Sequence, residues 1–257
     1  MANQALAVLE SALRARKLDR TLTTTLPSWE WTDPASLLPL DVPLVDACLR
    51  GGLPRGQLSE LSGPCSSGRM TLLLQLMSAA TQRGEIVALI DTCDRLDVAS
   101  AAAAGVDLDR LLWVRGASSG ARDPGPGIRD RSPEPRDQSP ETAVDRALKA
   151  LNLVLQAGGF GLVAIDLADV PGAMLRRIPF TTWLRVQRAV EGRDTACVLV
   201  APEPIARSAG GLTLTLTGRT SWTGSSARPR VAGAELKMRV VSPRRRVDGE
   251  VYVAAGL

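Results

Sequence analysis

The 257-residue chain predicts an α/β fold with a mostly parallel, twisted sheet flanked by helices. Three observations carry that expectation. Short apolar runs alternate with helical patterns from about residue 57 onward. A glycine-rich turn, GPCSSG from Gly63 to Gly68, joins the first of those runs to the first long helix. LVAID, Leu162 to Asp166, is a compact apolar run ending on an acid, the pattern of a strand buried on both faces.

Taken in order, Leu6, Leu9 and Leu13 recur at helical spacing and predict a short amphipathic helix. Residues 21–43, TLTTTLPSWEWTDPASLLPLDVP, are rich in Thr and Pro and read as an extended connection. Residues 1–39 are therefore expected to form a helix and arm, and residues 40–257 the core. One to two helical turns at Leu44 to Leu49 stop at Gly51-Gly52 and Pro54. A strand over Gln57 to Ser62 leads through the turn into a helix from Arg69 to about Gln82. Then come a strand at Ile86 to Ile90, a small-residue helix at Ser100 to Ala104 and a strand at Leu111 to Val114.

Gly116 to Pro140 holds five Pro, four Gly and one large aliphatic residue, Ile128, which is too little apolar surface to offset its ordering entropy. It reads as a flexible insertion at 116–140. Val144, Leu148, Leu151 and Leu155 then mark a helix that ends at Gly158-Gly159. After the LVAID strand, Thr182 to Val190 reads as helix and Ala196 to Ala201 as strand. Leu212 to Trp222 alternates like strands near a sheet edge, and Ala234 to Val241 and Glu250 to Ala254 read as two last strands.

Composition narrows the chemistry. The chain has no histidine, which excludes Ser-His and Cys-His nucleophiles and every His-based metal site. Its four cysteines form no C-x-x-C pair, so they read as buried free thiols, and no metal site is expected. No apolar run reaches the roughly 18 residues of a membrane span, and the first residues lack the basic-then-apolar order of a signal peptide. A cytoplasmic location without membrane contact is the expectation. From Ile205 onward there are nine Lys or Arg against three Asp or Glu. Arg228, Arg230, Lys237, Arg239, Arg244, Arg245 and Arg246 are candidates for a DNA-binding strip; a partner-docking or solvated edge is the other reading.

A phosphate-binding loop needs glycines so that backbone N–H groups can turn inward, and a helix whose positive end follows. Gly63 and Gly68 have the G-x-x-x-x-G spacing between a strand and a helix, so Gly63, Ser66, Ser67, Gly68, Arg69, Met70 and Thr71, with Asp166, are the candidate nucleotide-binding residues. Arg69 stands where such a loop carries its lysine, and its planar fork does not substitute simply for a compact ammonium. Met70 replaces the hydroxyl that would hold magnesium. A bare strand-to-helix turn is the plainer alternative.

Gly51 to Gly116 resembles the ATP-binding core of the RecA-like recombinase superfamily along its length. LDVPLVDACLRGGLPRG looks like the recombinase lead-in, IDTCDRLD with GVDLDRLL like its "IDAEHALD" and "GVDIDNLL", GGFGLVAIDLAD like its Walker B strand, and KMRVVSPRRRVDGEVYVAAG like its last core strands. The resemblance implies a RecA-like P-loop core with no separate C-terminal domain. Several functional positions depart from that pattern. The water-activating glutamate would fall at Cys93, with Asp94 one residue away; the nucleotide-sensing "NQ" is replaced by Ala201 and Pro202, and two lysines of the recombinase by Ser242 and Arg244. The DNA-binding loops are shortened to EPIARSAGG and PGAMLRRIPF.

Among such relatives the chain is most similar to the ImuA family, truncated RecA relatives of bacterial mutagenesis cassettes. That implies a non-enzymatic adaptor in SOS-induced translesion synthesis, with no catalytic residue. Its implied partners are an ImuB-type polymerase-like protein, RecA and a DnaE2-type polymerase complex, with Leu6, Leu9 and Leu13 as a docking helix that either engages a partner or folds back. No cofactor is required for that role, and ATP with magnesium stays open. The alternatives are a weak nucleotide-binding or ATP-hydrolysing DNA-repair protein, with Asp94 or Glu60 as base, and a SulA-like division inhibitor.

Overall fold

The computed structural model describes residues 33–116, 140–206, 211–223, 230–242 and 245–256. Leu6, Leu9, Leu13, Arg228, Arg244 and residues 117–139 lie outside them. A 3-10 turn, Pro34–Ser36, leads to β1 (Leu37–Leu38), which pairs antiparallel with β2 (Leu53–Pro54) around helix α1 (Pro43–Leu49). The alternating part of the chain then gives β3 (Leu58–Ser62), α2 (Arg69–Gln82), β4 (Val87–Asp91), α3 (Val98–Ala103) and β5 (Leu111–Arg115). Beyond residues 117–139 come α4 (Pro140–Ala157), β6 (Leu162–Asp166), the short α5 (Gly172–Leu175), α6 (Phe180–Val190) and β7 (Ala196–Ala201). Three longer strands end the described chain: β8 (Thr213–Thr223), β9 (Arg230–Ser242) and β10 (Arg245–Gly256).

Eight strands form one sheet in the order β10-β9-β8-β3-β7-β6-β4-β5. The pairings from β8 to β5 are parallel, and β8–β9 and β9–β10 are antiparallel. The sheet is therefore mostly parallel, as the alternation predicts, with a ribbon added on one side. β8 does not lie at the edge: it runs between β3 and β9. Its alternation records something else: Leu214 and Leu216 are buried on one face, while on the other exposure grows along the strand, from buried Thr213 through Thr215 to exposed Thr217. β4 starts one residue later than the apolar run suggests, because Ile86 is 48% exposed while Val87 is buried.

One face of the parallel strands presents Ala88, Ile90, Val163, Ile165, Cys197 and Leu199 to α4 and α6, which contribute Leu151, Leu155, Trp183 and Val186 to the same core. The alternate residues Leu89, Ala164 and Val198 are equally buried. Both faces are thus covered, which is why these strands read as unbroken apolar runs.

At the N-terminal ends of the parallel strands a single side chain ties the loops together. The Arg55 guanidinium donates to both carboxylate oxygens of Glu85 at 2.9 Å and to the backbone carbonyls of Leu37, Gly161 and Asp194. These loops precede β4, β6 and β7 and contain β1. Burial alone pushes the Glu85 carboxyl up, but the bonds and charge of Arg55, with those of Arg83, bring it below its ordinary value.

Candidate functional site

The opposite, C-terminal ends of β3 and β6 carry the glycine-rich turn and the strand-end acid. Ser66 (φ 60°) and Gly68 (φ 85°) both take left-handed backbone, Gly68 as the residue preceding α2. A Cβ on Gly63 would fall 2.5 Å from the Leu216 carbonyl oxygen and 2.5 Å from Ser67 Oγ, so the loop is seated directly on β8. Gly218 allows the same approach from β8, its Cβ position being 2.5 Å from the Ser66 carbonyl. Cys65, Ser66 and Thr71 are exposed, whereas Ser67 is buried with its hydroxyl unpaired among the described residues. Together, Cys65 to Thr71, Arg95, Asp166, Ala168 and Asp169 line an open depression of about 370 Å³.

Arg69 is 7% exposed, and its side chain turns onto the loop itself. The guanidinium donates to the carbonyl of Gly63 and, at 3.2 Å, to that of Ala168, and it stands 4.0 Å from the Asp169 carboxylate. The fork thus links the first residue of the loop to the segment after β6. Met70 is half-buried and offers a thioether, a poor partner for the hard magnesium ion, which takes oxygen ligands.

Asp166 lies beside Asp91 in the β4–β6 register. Burial, with the charges of Asp91 and Asp169, raises its carboxyl to about 6, against the lowering effects of the Ala168 N–H at 2.8 Å and of Arg69. Asp91 is committed elsewhere: it accepts from the backbone N–H groups of Arg95 and Leu96 and from Trp113 Nε1, holding the loop after β4. Cys93 sits near Asp169, Asp166 and Asp91; burial first, then those charges, push its thiol up.

Neither side chain considered as a base is presented to the loop as one. Asp94 takes both its 2.8 Å bonds from Arg115, in a left-handed backbone conformation at φ 54°. Glu60 is fully buried in β3, and its Oε1 accepts from the N–H groups of Ile205 and Ala206. Burial raises its carboxyl, and Oε2 is unpaired among the described residues.

The reading of four buried thiols needs correction: Cys197 is buried, Cys48 and Cys93 are intermediate, and Cys65 is exposed on the loop. No group of three or more Cys, Asp and Glu is placed to hold a metal among the described residues. In the basic region Lys237 and Arg239 lie two apart in β9, with buried Met238 between them, so they share a face. Backbone register sets Arg230 against Thr223, Arg245 against Ser242 and Arg246 against Val241. No helix among the described residues is long and apolar enough to cross a membrane. The sequence did not disclose Arg55 as a clamp, the inward turn of Arg69, or the use of Asp91 as a backbone acceptor.

Residues 37–121 match the RecA N-terminal domain. The chain is 44% identical over 68 residues to protein RecA of Synechocystis sp., covering 26% of this chain and 19% of that one. It is 47% identical over 62 residues to protein RecA of Nitratiruptor sp., covering 24% and 18%. With protein RecA of Borrelia hermsii it shares 32% identity over 116 residues, covering 45% and 26%. The chain thus spans about a quarter or less of the length of these curated relatives. The region from β1 through β5 is thus similar to the RecA N-terminal domain and to these RecA proteins.

Proposed function

We propose that this chain is a RecA-like accessory protein of the ImuA type, an adaptor in DNA-damage-induced translesion synthesis that works through protein contacts and does not hydrolyse ATP. The observation that carries the reading is the Arg69 side chain, whose fork is spent on the carbonyls of Gly63 and Ala168 inside the loop. Supporting it are Met70 at the magnesium position, Asp166 with a carboxyl raised to about 6, and Asp94 paired with Arg115. The backbone of the loop fits an anion, but the side chains do not fit a magnesium-bound triphosphate. An ImuB-type polymerase-like protein and RecA are the partners this reading implies, with a DnaE2-type polymerase in the same complex.

ATP turnover and calorimetric nucleotide binding on the wild type, Gly68→Asp and the pair Arg69→Lys/Met70→Thr test the proposal. The wild type is expected to show no magnesium-dependent turnover. Turnover that Gly68→Asp abolishes would overturn it in favour of a working ATPase. A second reading, nucleotide binding without hydrolysis, draws on the unpaired Ser67 hydroxyl and the open depression. Binding that Gly68→Asp removes, without turnover, would make the loop a sensor. Co-purification with the ImuB-type protein and RecA tests the adaptor role; no complex with either would refute it.

A further inference from the structure

A second concavity lies away from the loop, between α4, the 174–179 segment and the start of α6. It encloses about 510 Å³, within the ~300–1,000 Å³ usual for binding clefts. Its floor is apolar: Leu148, Met174 and Ile178 are only partly buried against the core. Its rim is cationic. Lys149, Arg177 and Arg185 are exposed around it, against one acid, Asp145. Among the described residues Lys149 and Arg185 belong to no ion pair. Apolar surface continues past the groove, because Leu153, one helical turn beyond Lys149, is 67% exposed and Phe180 at the start of α6 is 43% exposed.

We propose that this groove docks an acidic segment of a partner protein that carries large apolar anchor residues. The floor supplies the burial that gives affinity, and the rim supplies charge complementarity that selects the segment and speeds its approach. Nucleic acid suits it less well. Asp145 would face phosphates, and the one exposed aromatic ring near the groove, Phe180, lies outside its lining. The chain's own residues 117–139, which lead into α4, carry four acids, four arginines and Ile128 as their one large aliphatic residue, so they lack both the charge and the anchors.

The inference rests on the adaptor reading for its biological sense, but its test does not. The full chain is panned against a random-peptide phage library, and a selected peptide, made with a fluorophore, is titrated by anisotropy. Selected peptides are expected to be acidic with bulky apolar residues. Binding should weaken roughly tenfold or more in Lys149→Glu/Arg185→Glu and tighten in Asp145→Asn, and it should fall with salt. Melting curves for these exposed-site variants check that they fold. Peptides without acidic bias, unchanged affinity in the charge-reversed variant, or displacement by oligothymidylate at equal charge would each overturn the proposal. Peptide binding with no complex to the ImuB-type protein or RecA would leave the groove established and remove the adaptor identity.

Discussion

Each end of the parallel sheet is closed by a largely buried arginine, and the two are supported differently. At the N-terminal end Arg55 meets a carboxylate face to face, with both Glu85 oxygens at 2.9 Å, and its remaining donors reach three backbone carbonyls. At the C-terminal end Arg69 bonds two carbonyls; Asp169 stands 4.0 Å from it and pairs with Arg95 at 3.2 Å, and the Asp166 carboxyl is raised to about 6. The first is a closed ion pair. The second is a cation held by backbone carbonyls beside a buried acid that accepts from the Ala168 N–H. Stability is therefore concentrated at one end, and a raised carboxyl lies at the other.

Removing the clamp should produce the largest effect. Arg55→Ala removes the two-pronged partner of the half-buried Glu85, which keeps Arg83, and one donor from three carbonyls, of which Gly161 keeps the Ala196 N–H; it is expected to cost about 2–4 kcal/mol in urea unfolding. Arg55→Lys should recover only part, because an ammonium cannot reproduce the fork. The pH dependence follows from the sign of the Glu85 shift. Its carboxyl is lowered, so its contribution is complete above the ordinary glutamate value and is lost as pH falls through the lowered one. Arg55→Ala should flatten that acid limb. A variant as stable as the wild type would show that the loops hold without the clamp.

The opposite sign is expected at the other end. Because the Asp166 carboxyl is raised from 3.8 to about 6, the folded chain keeps a proton there that the unfolded chain has already lost. Stability from this group is complete below about pH 4 and falls as pH rises to about 6. Asp166→Asn should therefore raise stability at pH 7.5 by on the order of 2–3 kcal/mol and remove that decline, since an amide oxygen can still accept from the Ala168 N–H. A destabilised Asn variant would mean that the ionised carboxylate has a partner that the geometry does not supply.

What the sequence disclosed of these two ends follows from where the information resides. The parallel strands were legible because burial on both faces leaves near-continuous apolar runs such as VALID and LVAID. β8 was read at nearly its full length, Leu212 to Trp222, but β9 and β10 were shortened in the reading because RVAG and RRVDG look like turns until their partners supply the ladder. β1 and β2, of two residues each and with a proline in β2, carry no period to detect. In the site, spacing alone located Gly63 and Gly68. The identity of residue 69 could not say whether its fork faces outward to a ligand or inward, since that depends on two carbonyls, one of them 99 residues away in sequence. Asp91 ends its strand as Asp166 does, yet three donors that only the fold assembles have claimed it.

Arg69→Met sharpens the contrast at the smallest cost in stability. The Ala168 carbonyl lines an open depression where water can replace the lost donor, whereas Gly63 is buried, so a loss of about 1–2 kcal/mol is expected, below that of Arg55→Ala. The informative change is electrostatic. Arg69 is the cation that lowers the Asp166 carboxyl, so its removal should move that group further above 6, and the decline of stability with pH should extend upward accordingly. Unfolding free energies of the two variants across pH 4–8 read both quantities at once. If Arg69→Met proved as costly as Arg55→Ala and left the pH profile unmoved, Arg69 would be a second structural clamp. The loop would then owe its shape to that side chain, and restoring lysine at 69 would disturb the cradle before any nucleotide could be tested in it.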